Sequence, residues 1–169
     1  EKCLEGPAFI AEMTKHKLLM VSEPLYNRVG VYDIDEGTLS LKGWLPPVER
    51  PLHILNFSLE DDLVAVISKP GLQIYKLKAL KGLKFKLDQT FEGHFRGLVK
   101  GEANELISIQ IVDGYPIIRI FELQDKKFIL KDAILINAAR SSRYTYMFTF
   151  RVTKGLFQQL FLKRFSWQN

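Results

Sequence analysis

The chain has 169 residues, of which 47% are hydrophobic and 25% charged, with a formal net charge of +5. That length allows one compact unit with a real core, and the two shares are those of a soluble globular protein. No segment between charged residues is long enough to cross a bilayer, and the single cysteine, Cys3, excludes both a disulfide framework and a thiolate metal site.

The chain begins Glu1-Lys2-Cys3, without a methionine, so it is expected to be a piece of something longer. Nothing near the start resembles a signal peptide, and the sparing use of cysteine suits a reducing compartment, cytoplasm or nucleus. Residues 7–45 then read as a first unit of four strands: an opening strand at 8–12, a polar turn, an apolar strand at 18–21, the hexad Val29-Gly30-Val31-Tyr32-Asp33-Ile34, and a short strand at 39–41. The stretch Gly43-Trp44-Leu45-Pro46-Pro47-Val48-Glu49-Arg50-Pro51 links it to a second unit. Its prolines stiffen an extended path, and Trp44 either packs between units or is an exposed anchor for a partner.

The same order returns over residues 52–91, with strands at 52–57, 63–66 and 85–87 around the hexad Leu72-Gln73-Ile74-Tyr75-Lys76-Leu77. Residues 76–83 are the one place where a short helical turn is legible. A third unit, 94–135, has strands at 95–99, 106–109 and 128–130 around Ile118-Arg119-Ile120-Phe121-Glu122-Leu123. The aromatic residues Tyr32, Tyr75 and Phe121 lie 43 and 46 residues apart, a period that suits one propeller blade. Residues 137–169 hold a fainter fourth unit, with alternation at 144–152 and an apolar stretch at 156–162. Prolines at 7, 24, 46, 47, 51, 70 and 116 leave little room for helix. The expected fold is all-β: a propeller or partial propeller of three four-stranded blades and a fragmentary fourth.

The repeats resemble those of the WD40 family. The third unit is nearest, with Gly93-His94 before its opening strand and Asp113 in the turn before the hexad. The resemblance implies that His94 and Asp113 serve a buried structural hydrogen-bond network. The first unit keeps Asp33 after Tyr32 but has no Gly-His pair, and the second carries Lys76 in the acidic place. The stretch from Tyr26 to Leu39 is also similar to the repeats of NHL and lactonase-type propellers. Three to four blades rarely close a ring, so the missing blades are expected from the rest of the protein or from a second subunit; a small four-bladed ring is the competing possibility.

Little in the chain looks catalytic. His16, His53 and His94 fall at dissimilar places in their units, without an acidic cluster beside them, so turn or structural roles outweigh metal ligation. Glu60-Asp61-Asp62 reads as a solvated turn rather than a cation site. No serine has a nucleophile-elbow context and no glycine-rich loop opens a helix, so neither a catalytic residue nor a cofactor is expected.

Charge is uneven. All 19 acidic residues lie at or before Asp132, while Arg140, Arg143, Arg151, Lys154, Lys163 and Arg164 come after it, interleaved with aromatic residues. The plain reading is a blade core with a wet basic face. The functional readings are a protein-binding face or a surface for RNA or DNA over 140–167, where cations meet phosphates and rings stack on bases. The expectation is a non-catalytic scaffold binding protein partners through Trp44 and that basic segment, with a nucleic-acid-binding propeller as the alternative and a lactonase-type enzyme third.

Overall fold

The computed structural model describes residues 10–13, 17–35, 38–58, 62–78, 84–102, 104–135, 145–147 and 163–165; for 10–13, 58, 78, 145–147 and 163–165 it describes the backbone alone. Three four-stranded antiparallel sheets succeed one another along the chain. The first holds β1 (Ile10–Met13), β2 (Leu18–Glu23), β3 (Arg28–Asp35) and β4 (Thr38–Trp44). The second holds β5 (His53–Ser58), β6 (Leu63–Ser68), β7 (Gly71–Lys78) and β8 (Lys84–Glu92); the third β9 (His94–Lys100), β10 (Glu105–Val112), β11 (Tyr115–Gln124) and β12 (Lys127–Leu135). In each, sequence neighbours are spatial neighbours. β5 touches both β1 and β9, so the first strands of the three sheets converge on a hub and the sheets radiate from it as blades.

The hexads explain the stacking. Successive strand residues point to opposite faces, so the first and third residues of a hexad lie on one face of its blade and the aromatic residue on the other. Val29 and Val31 of blade 1 share a core cluster with Tyr75, Leu77 and Phe85 of blade 2. Leu72 and Ile74 of blade 2 share the next with Phe121 and Phe128 of blade 3. Ile118 and Ile120 then form a third cluster with Ile107 on the far face of blade 3. A middle strand is therefore apolar on both faces, and β6 is buried along its whole length.

Every blade also carries a β-bulge immediately before its aromatic residue, where β3, β7 and β11 pair with the outer strand. The extra residues are Lys42, Asp88 and Lys131, and each is held by an ion pair: Lys42 with Asp33 at 3.1 Å, Asp88 with Lys127 at 2.8 Å, Lys131 with Glu105 at 2.8 Å. The Asp88 pair crosses from blade 2 to blade 3. Beside it the Gln89 side chain donates to the Phe128 carbonyl at 3.0 Å and accepts from the Phe128 N–H at 2.8 Å.

Some expectations need correction. Lys76–Lys78 continue β7 as strand, because Leu77 completes the apolar face toward blade 1; residues 79–83 of the expected helical turn lie outside the described residues. Among the described residues the helical turn is 3-10, at Pro24–Tyr26, closed by Asn27 in the left-handed region. In the fourth unit, Thr145–Met147 (β13), within the expected alternation, pairs antiparallel with Lys163–Phe165 (β14); the apolar stretch 156–162 lies outside the described residues. No helix among the described residues is long and apolar enough to cross a membrane.

Tyr75 offers a test of the blade 1–blade 2 interface. It is fully buried, and its hydroxyl donates to the Gln73 side-chain oxygen at 3.1 Å, which also accepts from Ser68 at 2.9 Å. Burial pushes the phenol up to about 12 from its ordinary value of 10.0. Between those values the unfolded chain has lost a proton that the folded chain keeps, so stability is intact below pH 10 and falls as pH rises through the folded value, by roughly 3 kcal/mol in all. Tyr75→Phe is expected to cost about 1 kcal/mol at neutral pH and to abolish this alkaline loss. Denaturant titrations of both proteins at about pH 8 and about pH 11.5 check it.

Candidate functional site

The hub is where polar groups from different blades meet. Strand β9 changes register against β10 between Ser108 and Ile109, so that Leu98 faces Ser108, Arg96 faces Ile109, and Gly97 is the extra residue. Gly97 adopts φ +62, a left-handed conformation that glycine takes without steric cost, and its carbonyl accepts from the Ser108 hydroxyl at 2.8 Å. The bulge turns the Leu98 N–H toward the neighbouring blade, where it donates to His53 Nδ1 at 3.3 Å. One irregularity in β9 thus ties the first strands of blades 2 and 3 together.

Beside this contact lies a pocket of about 180 Å³ lined by His53, Arg96, Gly97, Leu98, Ile107 and Ser108, among others. Half-buried His53 has its imidazole held below its ordinary 6.5 by desolvation, so the ring is neutral at pH 7. With Nδ1 accepting from Leu98, the neutral ring carries its proton on Nε2. Arg96 is exposed and brings a permanent positive charge to the rim. The arrangement combines a neutral imidazole, a guanidinium and a hydroxyl in a mostly apolar wall, a setting suited to a small anionic, oxygen-rich ligand.

A second hollow of about 230 Å³ lies between blades 2 and 3, lined by Phe91, Phe95, Phe121 and Arg119, among others. Its rings belong to the interblade core: Phe91 and Phe121 lie 4.5 Å apart. Arg119 is engaged with Gln110 at 2.7 Å.

The residues expected from the sequence fall elsewhere. Arg140, Arg143, Arg151 and Lys154 lie outside the described residues, and Lys163 and Arg164 are placed only as backbone of β14. Trp44 ends β4, 41% exposed, with the Arg28 guanidinium 4.1 Å above its ring; Arg28 also lies 4.9 Å from the Tyr26 ring and pairs with buried Glu23 at 2.7 Å. That ring face is occupied within its own blade. His94 and Asp113 are both exposed, so neither lies in a buried network; Asp113 instead takes φ +51 in the tight turn between β10 and β11. Among the described residues no group of three or more His, Cys, Asp or Glu side chains is placed to hold a metal. Sequence reasoning passed over Arg96 and Ser108 and read His53 as structural. The signal that pointed to them was Gly97, an isolated glycine inside a strand, which marks a bulge.

Neither a protein-family model nor a curated protein matches the chain. Among solved structures, a protein of Lactobacillus plantarum matches 86% of this chain and 49% of its own, with a TM-score of 0.66 and 15% identity. A candidate 6-phosphogluconolactonase of Bacteroides uniformis matches 92% of this chain and 52% of its own, with a TM-score of 0.61 and 10% identity. The chain has the fold of a partial propeller. It spans about half the length of either neighbour.

This likeness does not single out WD40 repeats, and it corrects the expectation of a non-catalytic scaffold: a neighbour of this fold bears a lactonase's name, which favours the third reading over the first. The physical reason is that the scaffold reading rested on where charge lies along the chain. The polar groups that converge at the hub are 43 and 55 residues apart, counting His53 to Arg96 and His53 to Ser108, and no linear pattern displays them.

Proposed function

We propose that the chain forms part of a lactonase-type propeller whose hub pocket takes a phosphorylated sugar lactone. The observation that carries this reading is the meeting of neutral His53 with Arg96 on the converging strands β5 and β9. The likeness to the Bacteroides uniformis protein supplies the fold and the substrate class to try first. Arg96 would hold the phosphate through charge-assisted hydrogen bonds. His53, with its proton on Nε2, would donate toward the lactone carbonyl as charge develops on that oxygen. Hydrolysis adds water oxygen to the carbonyl carbon, breaks its bond to the ring oxygen, and delivers a proton to that oxygen, leaving an acid and an alcohol.

The test is hydrolysis of 6-phosphogluconolactone beside unphosphorylated gluconolactone by the purified protein, monitored as acid release. Arg96→Ala is expected to raise KM for the phosphorylated substrate about 10- to 100-fold, the worth of one charge-assisted contact, and to leave the other substrate nearly unchanged. Hydrolysis no faster than in buffer, or an equal loss on both substrates, would contradict the reading.

A further inference from the structure

We infer that the hollow between blades 2 and 3 is a second binding site, for a small aromatic carboxylate that pairs with Arg119. The repeat makes the case. Each blade has a polar side chain at one register position, four residues after the strand partner of its aromatic residue: Glu23 in blade 1, Ser68 in blade 2 and Gln110 in blade 3. In blades 1 and 2 a hydrogen-bond network closes there. Glu23 pairs with Arg28 at 2.7 Å and accepts from the Tyr32 hydroxyl at 3.3 Å. Buried Ser68 and the Tyr75 hydroxyl both donate to Gln73, at 2.9 and 3.1 Å.

Blade 3 departs from this pattern at two residues that line the same hollow. Phe121 has no hydroxyl, and Arg119 stands where blade 2 has Gln73. The guanidinium is half-buried and a neutral amide meets it, its Nε donating to the Gln110 side-chain oxygen at 2.7 Å. Among the described residues no carboxylate pairs with Arg119, and no acceptor meets its two terminal nitrogens. In blade 1 the position of Gln110 holds the carboxylate that neutralises an arginine; blade 3 has the arginine without the carboxylate. A ligand's carboxylate completes the pair, in the two-pronged geometry that a guanidinium favours.

The amide is fixed for this role. Gln110 Nε2 donates to the Glu92 carbonyl at 3.2 Å, and a Cβ on Gly93, at φ +126, would overlap that nitrogen. Held at both ends, Gln110 keeps the guanidinium at the hollow. The remaining wall is Phe91, Phe95, Phe121 and the exposed Leu130. The Phe121 ring lies 4.5 Å from Phe91 and 6.4 Å from Phe95, spacings at which a further ring can join the cluster edge-on or offset. A volume of about 230 Å³, against about 30 Å³ for a water, admits one ring with a short acidic arm. Exposed Glu92 at the rim opposes a second negative charge, which selects a monocarboxylate. The hollow shares no lining residue with the hub pocket, so this inference stands apart from the lactonase reading.

Isothermal titration calorimetry of the purified chain with phenylacetate is expected to show saturable binding. Phenylacetamide, which has the ring without the charge, and acetate, which has the charge without the ring, should bind at least tenfold more weakly. Arg119→Gln, the residue blade 2 carries at that place, should weaken phenylacetate binding at least tenfold while the melting temperature and the far-ultraviolet strand signal hold. Phe121→Tyr returns the hydroxyl of blades 1 and 2 and should weaken binding by a similar factor, so the result does not rest on one variant. Arg96→Ala, in the hub pocket, should leave phenylacetate binding unchanged. No binding at millimolar phenylacetate, an amide bound as tightly as the acid, or a loss with Arg96→Ala but not with Arg119→Gln would overturn the inference.

Discussion

Replacing Phe121 by alanine is expected to destabilise the protein by about 3–5 kcal/mol, a large share of the roughly 5–15 kcal/mol that holds a domain together. Phe121 is 2% exposed and sits in the core cluster between blades 2 and 3. Its ring lies 4.5 Å from that of Phe91 on blade 2 and 6.4 Å from that of Phe95 at the hub, so truncation opens a cavity walled by rings from neighbouring strands. Neighbours anchored on paired strands cannot collapse into such a gap, and for that reason the cost should lie toward the upper end. Urea denaturation of the two proteins, compared at equal slope, measures it. A loss under about 1 kcal/mol would mean that blades 2 and 3 are not packed as described.

Gly71→Ala should cost about 3 kcal/mol or more. Gly71 opens β7 at φ +146, in a region that side chains rarely adopt, and a Cβ there would overlap the carbonyl oxygen of Phe91 on β8. That obstacle is backbone in a paired strand, so it has nowhere to go. Gly97→Ala provides the contrast. At φ +62 with nothing within 4 Å of the added methyl group, it should cost only about 1–2 kcal/mol, the price of the left-handed conformation itself. Thermal melts of the two variants side by side would separate strain with a clash from strain without one. Equal losses would remove the close approach of β8 as the cause.

Much of the architecture was legible because strand patterning is local. The three hexads lie within β3, β7 and β11, and the apolar runs before them became β2, β6 and β10, with two residues added at the end of β2 and of β6, and one at the start and three at the end of β10. Tyr32, Tyr75 and Phe121 marked equivalent places, and the structure puts a bulge before each. The bulges themselves were not legible, since Lys42, Asp88 and Lys131 are ordinary charged residues on outer strands whose pairing depends on a second strand. His94 misled for a similar reason: a Gly-His pair identifies a type of repeat, but exposure depends on what packs above it.

By itself, then, the sequence determined that this is an all-β chain of blade-length repeats with apolar residues on both faces of each middle strand, because alternation and period are properties of neighbouring residues. Only the tertiary structure decided which strands meet at the hub, that the Gly97 bulge turns Leu98 toward His53, and that Leu39 stands uncovered where Phe85 and Phe128 are buried. Those outcomes depend on how one blade lies against the next, and contacts between residues some 45 positions apart leave no trace in the local pattern of either.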